Sequence, residues 1–220
     1  MLLDWFEADF WRGQNKIVGQ SKGRHITWFI QPPAAFDESE WVLRHYYRGG
    51  MIAKLIYDQF LYTGIRRTRS FREITLLNAM RELALPVPKP IGARVLKSGL
   101  FYRADLLMEK IDARDLVAHL TRSPLSAQVW QQIGRVIGRF HQQGIYHSDL
   151  NARNILIDPE HKIWLIDFDR CEMRVPKSKW QQQNLQRLQR SLIKEKSLSN
   201  SLHFEQSDWD SLLLGYRKGD

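Results

Sequence analysis

The chain is 220 residues long, 43% hydrophobic and 26% charged, with one cysteine and 33 Lys+Arg against 24 Asp+Glu. That supplies one sizeable core or two small ones. It excludes global disorder, an internal disulfide framework and a run of the about 18–20 apolar residues that a bilayer crossing needs. The net charge of +9 favours anionic partners (nucleotide, nucleic acid, anionic lipid or phosphorylated sugar) without choosing among them.

Met1-Leu2-Leu3-Asp4-Trp5 lacks the basic start of a secretory signal, so the cytosol or a membrane face is the expected location. Leu2, Leu3, Phe6 and Phe10 follow helical spacing over residues 1–12, with Asp4, Glu7 and Asp9 favouring packing on protein over anionic lipid. Lys16 to Ile30 reads as a β-hairpin whose polar tip, Gly19 to Arg24, could cover phosphates with its amides. Trp41-Val42-Leu43-Arg44 is a third strand, followed by the basic turn Arg48-Gly49-Gly50.

Ser70 opens a helix through about Leu83, and Ser70 with Glu73 fits a capping box. Glu73 also lies between Leu77 and Met80 on the apolar stripe, where a carboxylate calls for a cation. Strands near 91–96 and 100–108 lead into Met108-Glu109-Lys110-Ile111-Asp112, a strand-to-hinge segment. There the backbone groups of Glu109 and Ile111 are candidates for an adenine edge, and a lobe boundary falls between 109 and 110. Ser123-Pro124 is the expected start of a long helix carrying Val129, Ile133, Val136, Ile137 and Phe140 and stopped by Gly144. Gly134 and Gly138, four apart on it, permit close packing. Two short strands, 155–157 and 163–166, flank a turn at Asp158-Pro159. A basic helix from Trp180 to about Lys196 offers Leu185, Leu188, Leu192 and Ile193 to a core.

The chemistry lies in His147-Ser148-Asp149-Leu150-Asn151-Ala152-Arg153-Asn154, followed by Asp167-Phe168-Asp169. This is the H-x-D-x-x-x-x-N … D-F order of kinase catalytic and metal loops. Phosphoryl transfer needs positioning and charge neutralisation more than covalent help. Asp149 is the candidate base for the attacking hydroxyl, and Asn154 and Asp167 offer oxygens to Mg²⁺, a hard cation. His147 is assigned to supporting the loop rather than to catalysis. Arg48, Asn151 and Arg153 are candidate acceptor contacts. The cation for the ATP phosphates, paired with Glu73, is Arg44 or Lys54. Arg44 is favoured because Gly49-Gly50 ends its strand before Lys54.

His45-Tyr46-Tyr47-Arg48-Gly49-Gly50, Ser70-Phe71-Arg72-Glu73, Leu85-Pro86-Val87-Pro88-Lys89-Pro90, His147-Ser148-Asp149-Leu150-Asn151 and Leu165-Ile166-Asp167-Phe168-Asp169 together resemble the lipopolysaccharide-core kinase family. That family includes kinases of 3-deoxy-D-manno-octulosonic acid (Kdo) and of heptose, and the Arg-Gly-Gly and Asp-Leu-Asn elements point to its Kdo branch. The resemblance runs from about Ile17 to Ile193. It implies an α+β, bilobal, protein-kinase-like fold, with a small antiparallel β N-lobe (1–109) and a reduced, mainly α C-lobe (110–220). It implies ATP and Mg²⁺ as cofactors, and the 4-hydroxyl of Kdo on an anionic lipid A precursor as acceptor. It places the chain peripherally on the cytoplasmic face of a Gram-negative inner membrane. Asp169 stands where protein kinases have the glycine of D-F-G, and no A-P-E segment follows. Other acceptors (heptose or a protein hydroxyl) and a nucleotide-binding pseudokinase remain the alternatives. In the pseudokinase reading a basic face with Trp164 and Trp180 binds nucleic acid.

Overall fold

A computed structural model describes residues 3–22, 26–36, 39–48, 57–199 and 201–218. Mixed α/β throughout, the chain forms two units, Met1–Asn78 with Pro88–Ile111 and Ala79–Val87 with Asp112–Asp220.

The first unit is built on an antiparallel sheet of β1 (Ile17–Lys22), β2 (Ile26–Ile30), β3 (Trp41–His45), β4 (Phe60–Leu61), β5 (Pro90–Ser98) and β6 (Phe101–Glu109). The strands run in the order β1-β2-β3-β6-β4, with β5 also on β6. β1 continues through Gly19 to Lys22, so these residues pair with β2 instead of forming a loose tip. Gly23 and Arg24 of that tip, and His25 after it, lie outside the described residues.

The segment expected as one N-terminal helix is a 3-10 turn, Leu3–Phe6, followed by α1 (Ala8–Gly13). Glu7 breaks it: its backbone is extended, and its carboxylate reaches Arg94 at 2.5 Å. The break turns Trp5 and Trp11 onto Trp41, and the Trp11 indole donates to the Trp5 carbonyl at 2.7 Å. Phe6, Trp11, Ile30, Trp41, Leu43 and Leu107 close this core. Aromatic pairs meeting edge to face add to their area burial.

The helix α2 (Arg69–Glu82) starts one residue before the predicted cap. Ser70 is inside it and its hydroxyl donates to the Arg94 carbonyl at 3.1 Å, so the capping box does not form.

The second unit opens with β7 (Arg114–Asp115) and α3 (Leu116–Leu120), which Asp115 caps by accepting the Ala118 N–H at 3.0 Å. α4 (Ala127–Gln142) follows. It is capped by Ser126, whose hydroxyl accepts the Val129 N–H at 3.4 Å, and not by Ser123. Of its predicted apolar face, Ile133, Val136, Ile137 and Phe140 are buried and Val129 is half-buried, and Trp130, outside that prediction, is buried with them. Four short strands come next, β8 (Ile145–Tyr146), β9 (Ile155–Ile157), β10 (Ile163–Leu165) and β11 (Glu172–Met173); β9 pairs with β10 and β7, and β8 with β11. α5 (Ser178–Leu198) buries Trp180, Leu185, Leu188 and Leu192 but leaves Ile193 exposed.

α6 (Gln206–Arg217) has no counterpart among the predicted elements. It begins in a Glu205–Asp208 capping box and lies against α4 at backbone distance. A Cβ on Gly134 would stand 2.0 Å from the Leu212 carbonyl oxygen, and one on Gly215 would stand 2.0 Å from that of Gln131. Glycine is the residue that permits this approach.

Candidate active site

In the first unit, Arg44 on β3 forms an ion pair with Glu73 on α2, which is 3% exposed. Tyr46 adds a hydroxyl donating to the same Glu73 oxygen at 2.6 Å, and the Arg44 guanidinium lies 4.8 Å from the centre of the Tyr46 ring. Burial first, then the Glu73 charge, push the Tyr46 phenol well above its ordinary value, so it stays a donor. Glu73, read as cap or ion-pair partner, is thus an ion-pair partner. The rival cation, Lys54, and Gly49-Gly50 lie outside the described residues. Arg48 donates its Nε–H to the Gln59 carbonyl and its guanidinium lies 5.2 Å from the centre of the Phe60 ring. At the end of β6, the Glu109 N–H is not available to an adenine edge, because it donates to the Lys89 carbonyl at 2.8 Å; Lys110 N–H donates to Glu40. Ile111 follows beyond the strand end.

The second unit gathers the kinase-like motif. His147 is buried, and two bonds define its tautomer. Nε2–H donates to the Ile166 carbonyl at 3.0 Å, and Nδ1 accepts the Asp149 N–H at 3.2 Å. Burial holds this imidazole below its ordinary pKa against the Ile166 carbonyl and the Asp167 and Asp149 charges. It is a neutral brace joining the Asp149 loop to the residue before Asp167, the supporting role predicted for it. Ser148 adds a second link by donating to the Asp169 carbonyl at 2.8 Å, and the Ile166 N–H donates to the Asn154 carbonyl at 3.1 Å. Phe168 packs beneath, stacked on Phe140 at 6.0 Å.

Asn154 donates its side-chain N–H to the Asp149 carbonyl at 2.9 Å. That bond fixes which end of the amide is which, and Oδ1 accepts nothing among the described residues. Asp167 has φ +63°, a left-handed conformation that Asp adopts at lower cost than most residues. No cluster of three or more His, Cys, Asp or Glu side chains forms a cage among the described residues. The donors here are oxygens, one neutral and one anionic. This suits Mg²⁺, which commonly takes one or two protein oxygens and completes its shell with water and phosphate.

Asn151 and Arg153, predicted as acceptor contacts, are engaged within the protein. Asn151 accepts the N–H groups of Arg153 and Asn154 and donates to the Asp149 carbonyl at 3.0 Å. Arg153 forms a two-bond pair with Glu195 at 2.9 and 2.8 Å. Trp180, the proposed base-stacking residue, is buried, donates to the Val175 carbonyl, and meets His141 and Tyr146 edge on.

One face of α5 went unrecognised in the sequence. Asn184, Arg187, Ser191 and Glu195 recur at three- and four-residue spacing, so they share a stripe. Each holds part of the 147–153 loop. Asn184 accepts the His147 N–H at 3.2 Å, Arg187 pairs with Asp149 at 2.9 Å, Ser191 accepts the Ala152 N–H at 3.0 Å, and Glu195 holds Arg153. The available signal was an asparagine set at four-residue spacing between Trp180 and Leu188 on the apolar face of the helix.

The model of the lipopolysaccharide kinase (Kdo/WaaP) family matches residues 8–216. A protein of Mannheimia succiniciproducens named 3-deoxy-D-manno-octulosonic acid kinase is 48% identical over 218 residues, covering 97% of this chain and 90% of the relative. Proteins of the same name from Vibrio vulnificus (45%; 97% of this chain, 89% of the relative) and Photobacterium profundum (43%; 98% and 89%) are similar over comparable spans. With its motif residues on one hydrogen-bonded loop system and a family match over most of its length, the chain belongs to the lipopolysaccharide kinase (Kdo/WaaP) family.

Proposed function

We propose that this chain is a Kdo kinase of lipopolysaccharide core biosynthesis, which transfers the γ-phosphoryl group of ATP to the 4-hydroxyl of Kdo on a lipid A precursor. The observation that carries this reading is the braced loop holding Asp149 and Asn154 beside the Asp167 segment, in a chain 43–48% identical to proteins named for that activity. In this reading residues 1–109 and 110–220 act as the two lobes of a kinase-like fold. Asp149 orients the acceptor hydroxyl and takes its proton through Oδ2, which accepts no hydrogen bond among the described residues. Asn154 Oδ1 and the Asp167 carboxylate hold Mg²⁺, which neutralises charge on the transferring phosphoryl group. Arg44 or Lys54, set by Glu73, holds the ATP phosphates. The Glu109 carbonyl and the Ile111 amide are the groups assigned to the adenine. Arg48 is assigned to the acceptor side, where a basic side chain meets an anionic glycolipid.

The lipid-linked acceptor places the enzyme peripherally on the cytoplasmic face of the inner membrane. Among the described residues no helix is long and apolar enough to cross a membrane. Mass spectrometry of a Kdo-lipid A precursor incubated with ATP and Mg²⁺ tests the assignment. One phosphate is gained with the wild-type chain, and transfer by Asp149→Ala falls by roughly 10²–10⁴-fold. An unmodified lipid with the folded wild-type protein refutes it.

A further inference from the structure

We infer that Arg187 of α5 reads the carboxylate of the acceptor sugar, an inference that rests on the Kdo-kinase reading of the site. The guanidinium spends two donors on one oxygen of Asp149, Nε at 3.1 Å and Nη2 at 2.9 Å. Nη1 has no partner among the described residues, and the side chain is 45% exposed. The other polar members of the stripe have no such reach. Asn184 is buried and engaged by His147 N–H. Ser191 both accepts from Ala152 and donates to the Leu188 carbonyl at 2.7 Å. Arg153, on the loop and not on the stripe, pairs with Glu195 and makes no hydrogen bond or ion pair with Asp149 among the described residues.

An acceptor bound for phosphorylation brings its hydroxyl to Asp149. A sugar acid carries its carboxylate on the same small ring, so that anion arrives within a side chain's reach of the residue that flanks the base. A planar guanidinium accommodates two carboxylates at once, Asp149 on one edge and the sugar acid on the next, which an ammonium does less well. Arg187 is thereby a specificity residue. It lets a sugar acid dock beside an anionic base and gives a neutral sugar no such compensation.

The test compares two acceptors, the natural acid and its C1 carboxamide, in wild-type chain, Arg187→Met and Arg187→Lys, with thermal melting to confirm folding. The wild-type chain shows a KM for the carboxamide about tenfold or more above that for the acid, one charge-assisted contact's worth. Arg187→Met raises the acid KM to the carboxamide level and loses the discrimination. Any fall in kcat caused by freeing Asp149 is the same on both acceptors, and Arg187→Lys recovers part of the preference. A wild-type chain indifferent to the carboxamide, or an Arg187→Met variant that keeps the wild-type preference, overturns the inference while leaving the Kdo-kinase activity standing. No transfer to either acceptor by the wild-type chain overturns that activity itself, and the inference with it.

Discussion

His141 makes the second unit acid-labile, and the size of the effect follows from its surroundings. Its ring is 2% exposed on α4, with Nδ1 at 2.8 Å from the Tyr216 hydroxyl and Trp180 edge on. Burial, opposed by Asn184 and reinforced by His147, lowers its pKa from 6.5 to about 4. A depressed histidine costs nothing above pH 6.5, where both states are neutral. Below it the unfolded chain takes up a proton that the folded chain refuses, so stability falls as pH drops through 6.5 and levels off below the folded pKa. Two and a half units amount to about 3 kcal/mol in full, of which about 2.5 kcal/mol is already lost at pH 4.5. The assay is urea unfolding from pH 7.5 to 4.5 for the wild-type chain and for His141→Asn, whose amide can replace Nδ1 opposite Tyr216. The variant is less stable at neutral pH, but its midpoint falls less on acidification. The wild-type midpoint drops by about 1 M more at the m-values typical of small proteins. Parallel pH curves for the two proteins refute the reasoning.

Three further substitutions probe the scaffold. Asn184→Leu keeps the branched shape and heavy-atom count but orphans the buried His147 N–H. It lowers unfolding free energy by roughly 1–3 kcal/mol and reduces kcat in the fraction that remains folded, read by thermal melting alongside phosphate transfer. Gly215→Ala drives a methyl into the Gln131 carbonyl and costs about 3 kcal/mol or more, whereas Gly138→Ala, whose Cβ stands 3.3 Å from the Tyr216 carbonyl, costs about 1 kcal/mol. Similar urea midpoints for those two glycine variants would contradict the close α4–α6 contact.

Elements whose periodicity matched their burial were legible in the sequence: α2, α4, the paired strands of the first unit, and the order His147, Asp149, Asn154, Asp167. The apolar rows of α4 and the glycines behind them needed no tertiary information. What was missed depended on partners distant in sequence or on caps that depart from the usual pattern. Ser70 and Glu73 satisfy a local capping rule, yet the Arg94 carbonyl and the Arg44 cation, far along the chain, outcompete it. Ser123-Pro124 carries a strong start signal, but Ser126 caps the helix three residues later. α6 opens with Glu and Asp in place of the usual Ser or Thr, so its cap does not carry the usual sequence signature. Asn151 and Arg153 lie beside Asp149 in sequence as candidate acceptor contacts, and proximity does not show which of their hydrogen bonds are made within the protein. The polar stripe of α5 was hidden because a basic, amphipathic helix looks the same whether its polar face meets water or a catalytic loop.

The backbone at position 167 constrains how that residue can be interrogated. At φ +63° the main chain accepts aspartate, asparagine or glycine with little strain and resists most others. An alanine scan there would charge backbone distortion and a lost carboxylate to one measurement. Asparagine removes the negative charge with the turn intact, and glycine removes the oxygen as well, so the pair of them, in sequence, separates what the side chain contributes from what the chain path demands.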